Sequence, residues 1–200
     1  EIATQMCGLV GAALKISASG IVVASTGVIG KTLDIEPIAS GIDPLIAALG
    51  DDSNSAAEAI MTTDLAKKEI AFEFTVGGKT CHIGGICKGS GMIQPNMATM
   101  LGFVTTDAAI SPAMLQQALS ADILDSFNMV SVDGDTSTND MVTILANGMA
   151  GNAMITEKNA DYSAFCAALS AVTQYLSRSS AADGEGATKL IICHLTGASD

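Results

Sequence analysis

The stretch with the clearest chemical potential runs from Cys87 to Thr106, "CKGSGMIQPNMATMLGFVTT". Gly89, Gly91 and Pro95 mark a loop whose backbone can approach another backbone closely, and small Ala98 immediately precedes Thr99. The apolar run that follows predicts a buried strand, which would hold residue 99 rigidly at its edge. A Thr hydroxyl there can attack the carbonyl of Ala98 through a five-membered ring. Hydrolysis of the resulting ester would divide the chain and free an α-amine on Thr99. Such an amine titrates at about 7.7 to 8.0, well placed to serve as base for its own hydroxyl. The chemistry requires a small residue before the Thr, a strained loop and an oxyanion site. The plainer alternative is an ordinary Ala-Thr step opening a strand, since Thr is a strand former.

Other patterns fail on spacing. "GGKT", residues 77–80, resembles the end of a phosphate loop, but Glu73 stands where that pattern needs its first Gly, so a hairpin turn is expected. "DGDTSTND", residues 133–140, has Thr138 and Ile144 where a calcium loop needs Gly and Glu, leaving a turn cluster and N-cap leading into a helix from about Asp140. His82 and His194 each adjoin a cysteine within strand-like runs, where alternation sends neighbouring side chains to opposite faces. A zinc site or Cys-His pair would require those strands to converge. No metal site is expected. The H-E-x-x-H and G-x-S-x-G motifs are absent.

The elements that must position this chemistry alternate between helical and β-branched signatures, predicting a mixed α/β domain with α and β layers. A helix is expected over 1–15 and a buried strand over Ile21 to Ala24, running into the turn "STGVIG". Asp43-Pro44 predicts a helix start, stopped at Gly50, and Ser55 to Glu58 forms a capping box opening another helix. Residues 71–86 alternate on both sides of Gly77-Gly78, predicting a hairpin. Ser111-Pro112 opens a further helix. Phe165, Leu169, Val172 and Leu176 form the apolar stripe of a longer one ending near Ser177, and Thr188 to Gly197 reads as a strand. No flexible interdomain linker is evident. Because the first helix begins at residue 1 and the final strand lies at the other end, further residues are expected beyond both ends.

The 200 residues include 48% hydrophobic and 15% charged ones, enough apolar mass for a core. A formal charge of -12 with no basic run disfavours a nucleic-acid or anionic-membrane partner. No apolar stretch approaches the roughly 20 residues that span a bilayer, and residues 1–15 carry no leader pattern. Five scattered cysteines without a C-x-x-C spacing point to reduced thiols and a cytoplasmic setting.

"KGSGMIQPNMATML", residues 88–101, resembles the self-cleaving segment of the glutamate N-acetyltransferase / ornithine acetyltransferase family of arginine biosynthesis. "VASTGVIG" at 23–30, "AAEAIMTTD" at 56–64, "FNMVSVDGDTSTND" at 127–140 and "DGEGATK" at 183–189 resemble further blocks of that family in the same order, so the resemblance covers nearly the whole chain. It implies an αβ sandwich distinct in fold but N-terminal-nucleophile in chemistry. It also implies cleavage between Ala98 and Thr99, with residues 1–98 part of an α chain and 99–200 part of a β chain that stay associated, usually as α2β2. The implied reaction is ping-pong. Thr99 takes the acetyl group of N2-acetylornithine and passes it to glutamate, without a metal or bound cofactor; some members also accept acetyl-CoA as donor.

The resemblance also assigns positions. Thr26 and Gly27 correspond to the oxyanion hole, Lys88 to a ligand for a substrate carboxylate, Thr62 to another substrate contact, and Glu185 to a pocket carboxylate for the ornithine ammonium. Without it, Thr26-Gly27 would read as a turn, Lys88 and Glu185 as solvated charges, and Thr62 as a helix end. Members of that family are roughly twice as long and draw an Asn and a hydroxyl residue from their C-terminal part. Two rival functions use the same residues differently: a self-cleaving amidase or aminopeptidase passing the acyl group from Thr99 to water, and an uncleaved small-molecule-binding protein.

Overall fold

The computed structural model describes residues 1–94 and 100–197, and the chain divides into two compact units, Glu1–Ser55 and Ala56–Asp200. The boundary falls inside a short helix rather than in a Gly- or Pro-rich linker, which is why composition gave no sign of it.

The first unit contains helix α1 (Ile2–Leu14), a 3-10 turn at Ala18–Gly20 and helix α2 (Glu36–Ala47). Lys15 ends α1 in the left-handed conformation, its N–H bonded to the Gly11 and Ala12 carbonyls. Helix α2 starts eight residues before the expected Asp43-Pro44. Pro37 sits in its first turn, the Glu36 N–H donates to Asp34 at 3.1 Å, and Pro44 is accommodated inside the helix. The expected strand over Ile21 to Ala24 is absent: these residues carry extended-favouring side chains but join no ladder among the described residues, and Val22 is 54% exposed. A strand needs a partner as well as propensity. Helix α3 (Ser53–Ala59) runs across the boundary and begins two residues before the expected Ser55, because Asp52 accepts the Ser55 N–H at 3.1 Å and so caps it.

The second unit is built on a four-stranded sheet in the order β1 (Lys68–Val76), β2 (Lys79–Lys88), β3 (Leu101–Thr106), β4 (Met141–Ala146). Strands β1 and β2 form the expected hairpin, pairing Val76 with Lys79 and Lys68 with Cys87. Gly77 and Gly78 both adopt positive φ, 54° and 76°, which the two-residue hairpin turn demands. Strand β3 runs antiparallel to β2 and parallel to β4. The parallel pairing needs a crossover, and residues 107–140 supply it, carrying helix α4 (Pro112–Asp122), which Ser111 caps.

Strand β4 replaces the helix expected from about Asp140. Its Val142, Thr143 and Ile144 are β-branched, and a fully paired buried neighbour was available in β3. The expected strand over Thr188 to Gly197 is irregular, with Ile191 86% and Leu195 82% exposed, again because no described ladder receives it.

Helix α5 (Ala160–Ala182) lies against β1 and β2, giving two layers, α on β. It is capped by Asn159 and runs five residues past the expected end. Phe165, Leu169, Val172 and Leu176 are all fully buried, each contributing roughly 1.5–3 kcal/mol of apolar burial. The helix approaches so closely at Gly85 that a Cβ there would lie 3.0 Å from Val172, 3.1 Å from Leu176 and 3.1 Å from the Phe103 carbonyl oxygen. The Phe165 ring meets Phe74 edge-on at 6.1 Å. In β2, Cys81 points into this core while His82 stays exposed, as alternation requires. All five cysteines are free thiols.

Candidate functional site

Lys88 ends strand β2 at the point where the hairpin gives way to the loop Gly89–Gly91. It is 4% exposed, not solvated, and it forms no ion pair among the described residues. A desolvated ammonium without a counter-charge is costly, so the position favours an anionic ligand.

The loop after Lys88 is held from beneath by a carboxylate. Asp64 Oδ1 accepts the Gly89 N–H at 2.8 Å and the Lys68 ammonium at 2.7 Å, while Oδ2 accepts the Thr62 N–H at 3.1 Å. Lys68, 1% exposed, also donates to Asp183 Oδ2 at 2.6 Å and to the Ala66 carbonyl at 3.2 Å, which occupies all three ammonium protons. Asp183 in turn accepts the Leu65 and Ala66 N–H groups at 3.0 and 3.3 Å. Burial works against both charges. For Asp64 the Gly89 N–H, Lys68 and the Thr62 N–H prevail, and its pKa lies below the ordinary value; for Lys68 the two carboxylates prevail, and its pKa lies above.

This frame brings three of the expected site positions into one neighbourhood. Thr62 is exposed in the turn beyond α3 and is tied by its N–H to Asp64. The neighbouring Thr63 hydroxyl meets the buried Ser90 hydroxyl at 2.7 Å. Glu185 donates its N–H to the Ser90 carbonyl at 2.6 Å, and its exposed carboxylate lies on Gly91, where an added Cβ would sit 2.6 Å from the carboxyl carbon. A side chain at position 91 would displace the Glu185 carboxylate from this place.

Thr26 and Gly27 belong to the first unit, in the irregular segment before α2; Thr26 is half-buried and Gly27 exposed. They do not end a strand. Ala98 and Thr99 lie outside the described residues. The described residues flanking them are pinned by the 133–140 loop. Asp133 accepts the Met92 and Ile93 N–H groups at 2.6 and 3.0 Å, and Asp140 accepts the Met100 N–H at 2.9 Å. Met92 is a non-glycine residue at φ 56°. Despite burial, the amides it binds hold the Asp133 pKa below the ordinary value, whereas burial pushes that of Asp140 up against the Met100 N–H and the Ser137 hydroxyl.

Sequence reasoning missed Asp64, Lys68, Asp183, Asp133 and Asp140. The available signal was Asp among Gly and Thr turn residues in "TTD", "DGDTSTND" and "DGEG", where short carboxylates bind backbone N–H groups. Among the described residues no group of three His, Cys, Asp or Glu side chains is placed to hold a metal ion, and no helix is long and apolar enough to cross a membrane.

The second unit and its carboxylate-braced lysine define a two-layered α/β protein with a buried cationic site. The chain belongs to the ArgJ family, which it matches over residues 1–200. It is 53% identical over 197 residues to the arginine biosynthesis bifunctional protein ArgJ of Symbiobacterium thermophilum, a match covering 98% of this chain and 49% of that protein. It is 49% identical over 185 residues to the protein of the same name from Listeria monocytogenes, covering 92% and 46%. A crystal structure of the arginine biosynthesis bifunctional protein argJ from Bacillus halodurans is 52% identical with a TM-score of 0.44, covering 46% of this chain and 43% of that one. The chain spans about half the length of the curated relatives it matches.

Proposed function

We propose that this chain forms part of an autoprocessed acetyltransferase of arginine biosynthesis that moves the acetyl group of N2-acetylornithine to glutamate through an acetyl ester on Thr99. The observation that carries the reading is Lys88, buried with no acidic partner among the described residues, at the start of a loop that Asp64 ties to the Thr62 N–H and that receives the Glu185 N–H at Ser90. Its charge suits the α-carboxylate shared by both amino acids, and Glu185 suits the side-chain ammonium of ornithine. Membership of the ArgJ family supports the substrate class.

In this reading, hydrolysis between Ala98 and Thr99 frees the Thr99 amine. That amine takes the proton of the Thr99 hydroxyl as its oxygen attacks the acetyl carbonyl. The amide C–N bond of N2-acetylornithine then breaks, and the proton passes to the departing nitrogen of ornithine. The amino group of glutamate next attacks the ester, the C–O bond to Thr99 breaks, and a proton returns to the hydroxyl. Thr26 and the Gly27 N–H stabilise the oxyanion formed in each half-reaction. The two resulting pieces work together as an α2β2 assembly.

Denaturing mass spectrometry with N-terminal sequencing tests the reading. The whole protein is expected to give a piece beginning at Thr99, and Thr99→Ala to give one continuous polypeptide with no acetyl transfer. A Thr99→Ala protein that still divides there defeats the proposal.

A further inference from the structure

The three positions that would contact an amino-acid substrate sit on three separate segments of chain, and one set of buried charges joins all three. Asp64 holds the Thr62 N–H and the Gly89 N–H, the latter next to Lys88, on a single carboxylate. Lys68 bridges Asp64 to Asp183, two residues before Glu185. The Thr63–Ser90 hydroxyl pair and the Glu185 N–H on the Ser90 carbonyl close the circuit.

Asp64 and Lys68 are buried and their polar atoms are committed to protein partners, so neither group has a free position to offer a ligand. Replacing such a triad with apolar residues is often neutral for stability, so stability alone gives little reason for it. Its geometry supplies a different reason. A carboxylate with both oxygens committed to fixed N–H donors has little freedom to rotate, and it transmits that fixity to the backbone on either side. Gly89, at φ 147°, lets the chain turn onto Asp64 immediately after Lys88.

We infer that Asp64, acting with Lys68, Asp183 and the Thr63–Ser90 pair, is the positioning residue that sets the spacing of Thr62, Lys88 and Glu185 and thereby the affinity for the amino-acid substrate. This rests on the acetyl-transfer reading for its substrate, but the frame acts on binding rather than on the nucleophile.

The test is Asp64→Asn in the whole protein. It keeps one oxygen acceptor but removes the charge and the second acceptor. KM for N2-acetylornithine and for glutamate is expected to rise at least tenfold, with kcat and the yield of the Thr99 fragment within about threefold of wild type. An unchanged KM, or a fall in kcat alone, overturns the inference. Glutamate affinity is measured in parallel by calorimetry. If wild type binds glutamate without transferring acetyl groups, the functional reading is lost, while a tenfold weaker glutamate affinity in Asp64→Asn still upholds the positioning role. If wild type binds no glutamate, both fall. Should Asp64→Asn not fold, Thr63→Val breaks the same frame while leaving its charges intact. A KM rise of threefold or more at unchanged kcat supports the role, and an unchanged KM removes it.

Discussion

Lys68 and Lys88 are buried at the same end of the β1–β2 hairpin, Lys68 paired across the ladder with Cys87 and Lys88 the next residue along, yet their surroundings are opposite. Lys68 is saturated by two carboxylates and a carbonyl, whereas Lys88 meets no carboxylate among the described residues. The first lysine is structural, and the second is the one to which the proposed function gives a substrate carboxylate.

Lys88→Ala is therefore expected to lower kcat/KM for N2-acetylornithine at least tenfold, chiefly through KM, while leaving the melting temperature near that of wild type. Steady-state kinetics beside thermal denaturation checks this. Wild-type kinetics in the variant would remove Lys88 from the site.

Lys68→Met should behave in the reverse manner. It strands the Asp64 and Asp183 carboxylates in the interior, and breaking a buried pair from one side costs about 3–5 kcal/mol. Urea unfolding at pH 7 reads this directly, and a loss below about 1 kcal/mol would contradict the burial argument.

If Thr26 donates its hydroxyl to the oxyanion, Thr26→Val should slow formation of the acetyl-enzyme by about 10²-fold. Single-turnover kinetics would show it. An undiminished acylation rate would mean that the charge is stabilised elsewhere.

His82 lies on the outer face of β2, with Nδ1 2.7 Å from Asp107 and Nε2 3.3 Å from Glu73. The Asp107 bond raises its pKa above the ordinary imidazole value of about 6.5. The group is raised on folding, so its stabilising contribution is complete below about pH 6.5 and disappears as pH climbs through the folded value. NMR titration should place His82 above a free imidazole, and Asp107→Asn should bring it back down. An Asp107→Asn protein with an unmoved His82 titration would disprove the attribution.

Gly85→Ala tests the seat of α5. The new methyl would press on Val172, Leu176 and the immovable Phe103 carbonyl, at a cost of roughly 1–3 kcal/mol. Chemical denaturation would report it, and a neutral effect would show that the helix can shift outward.

Elements fixed by local rules were legible in the sequence. The Gly77-Gly78 hairpin, the Ser111-Pro112 helix start and the stripe from Phe165 to Leu176 depend on turn chemistry or on period, both carried within a few residues. Strand β4 was not legible, because Asp140 reads as a cap until β3 is known to lie beside it and to direct its Met100 N–H at that carboxylate. The runs at 21–24 and 188–197 failed in the opposite sense, having strand composition without a ladder among the described residues. At the candidate site, Lys88 and Glu185 are singled out by the resemblance alone. Asp64 and Asp183 were not, because their partners are backbone amides from distant segments, and an amide leaves no mark on residue type.

Strand β3 is flanked by β2, which precedes the Gly89–Gly91 loop, and by β4, which follows it much later in the chain. Six consecutive residues of β2, Ile83 to Lys88, are paired with Leu101 to Thr106, and α5 covers β1 and β2 from the downstream side. A nick anywhere between those paired runs would thus remove covalent continuity without opening a seam, since the downstream piece would supply both a middle strand and the roof over the upstream one. Its products would travel as one particle through any native separation and part company only in denaturant.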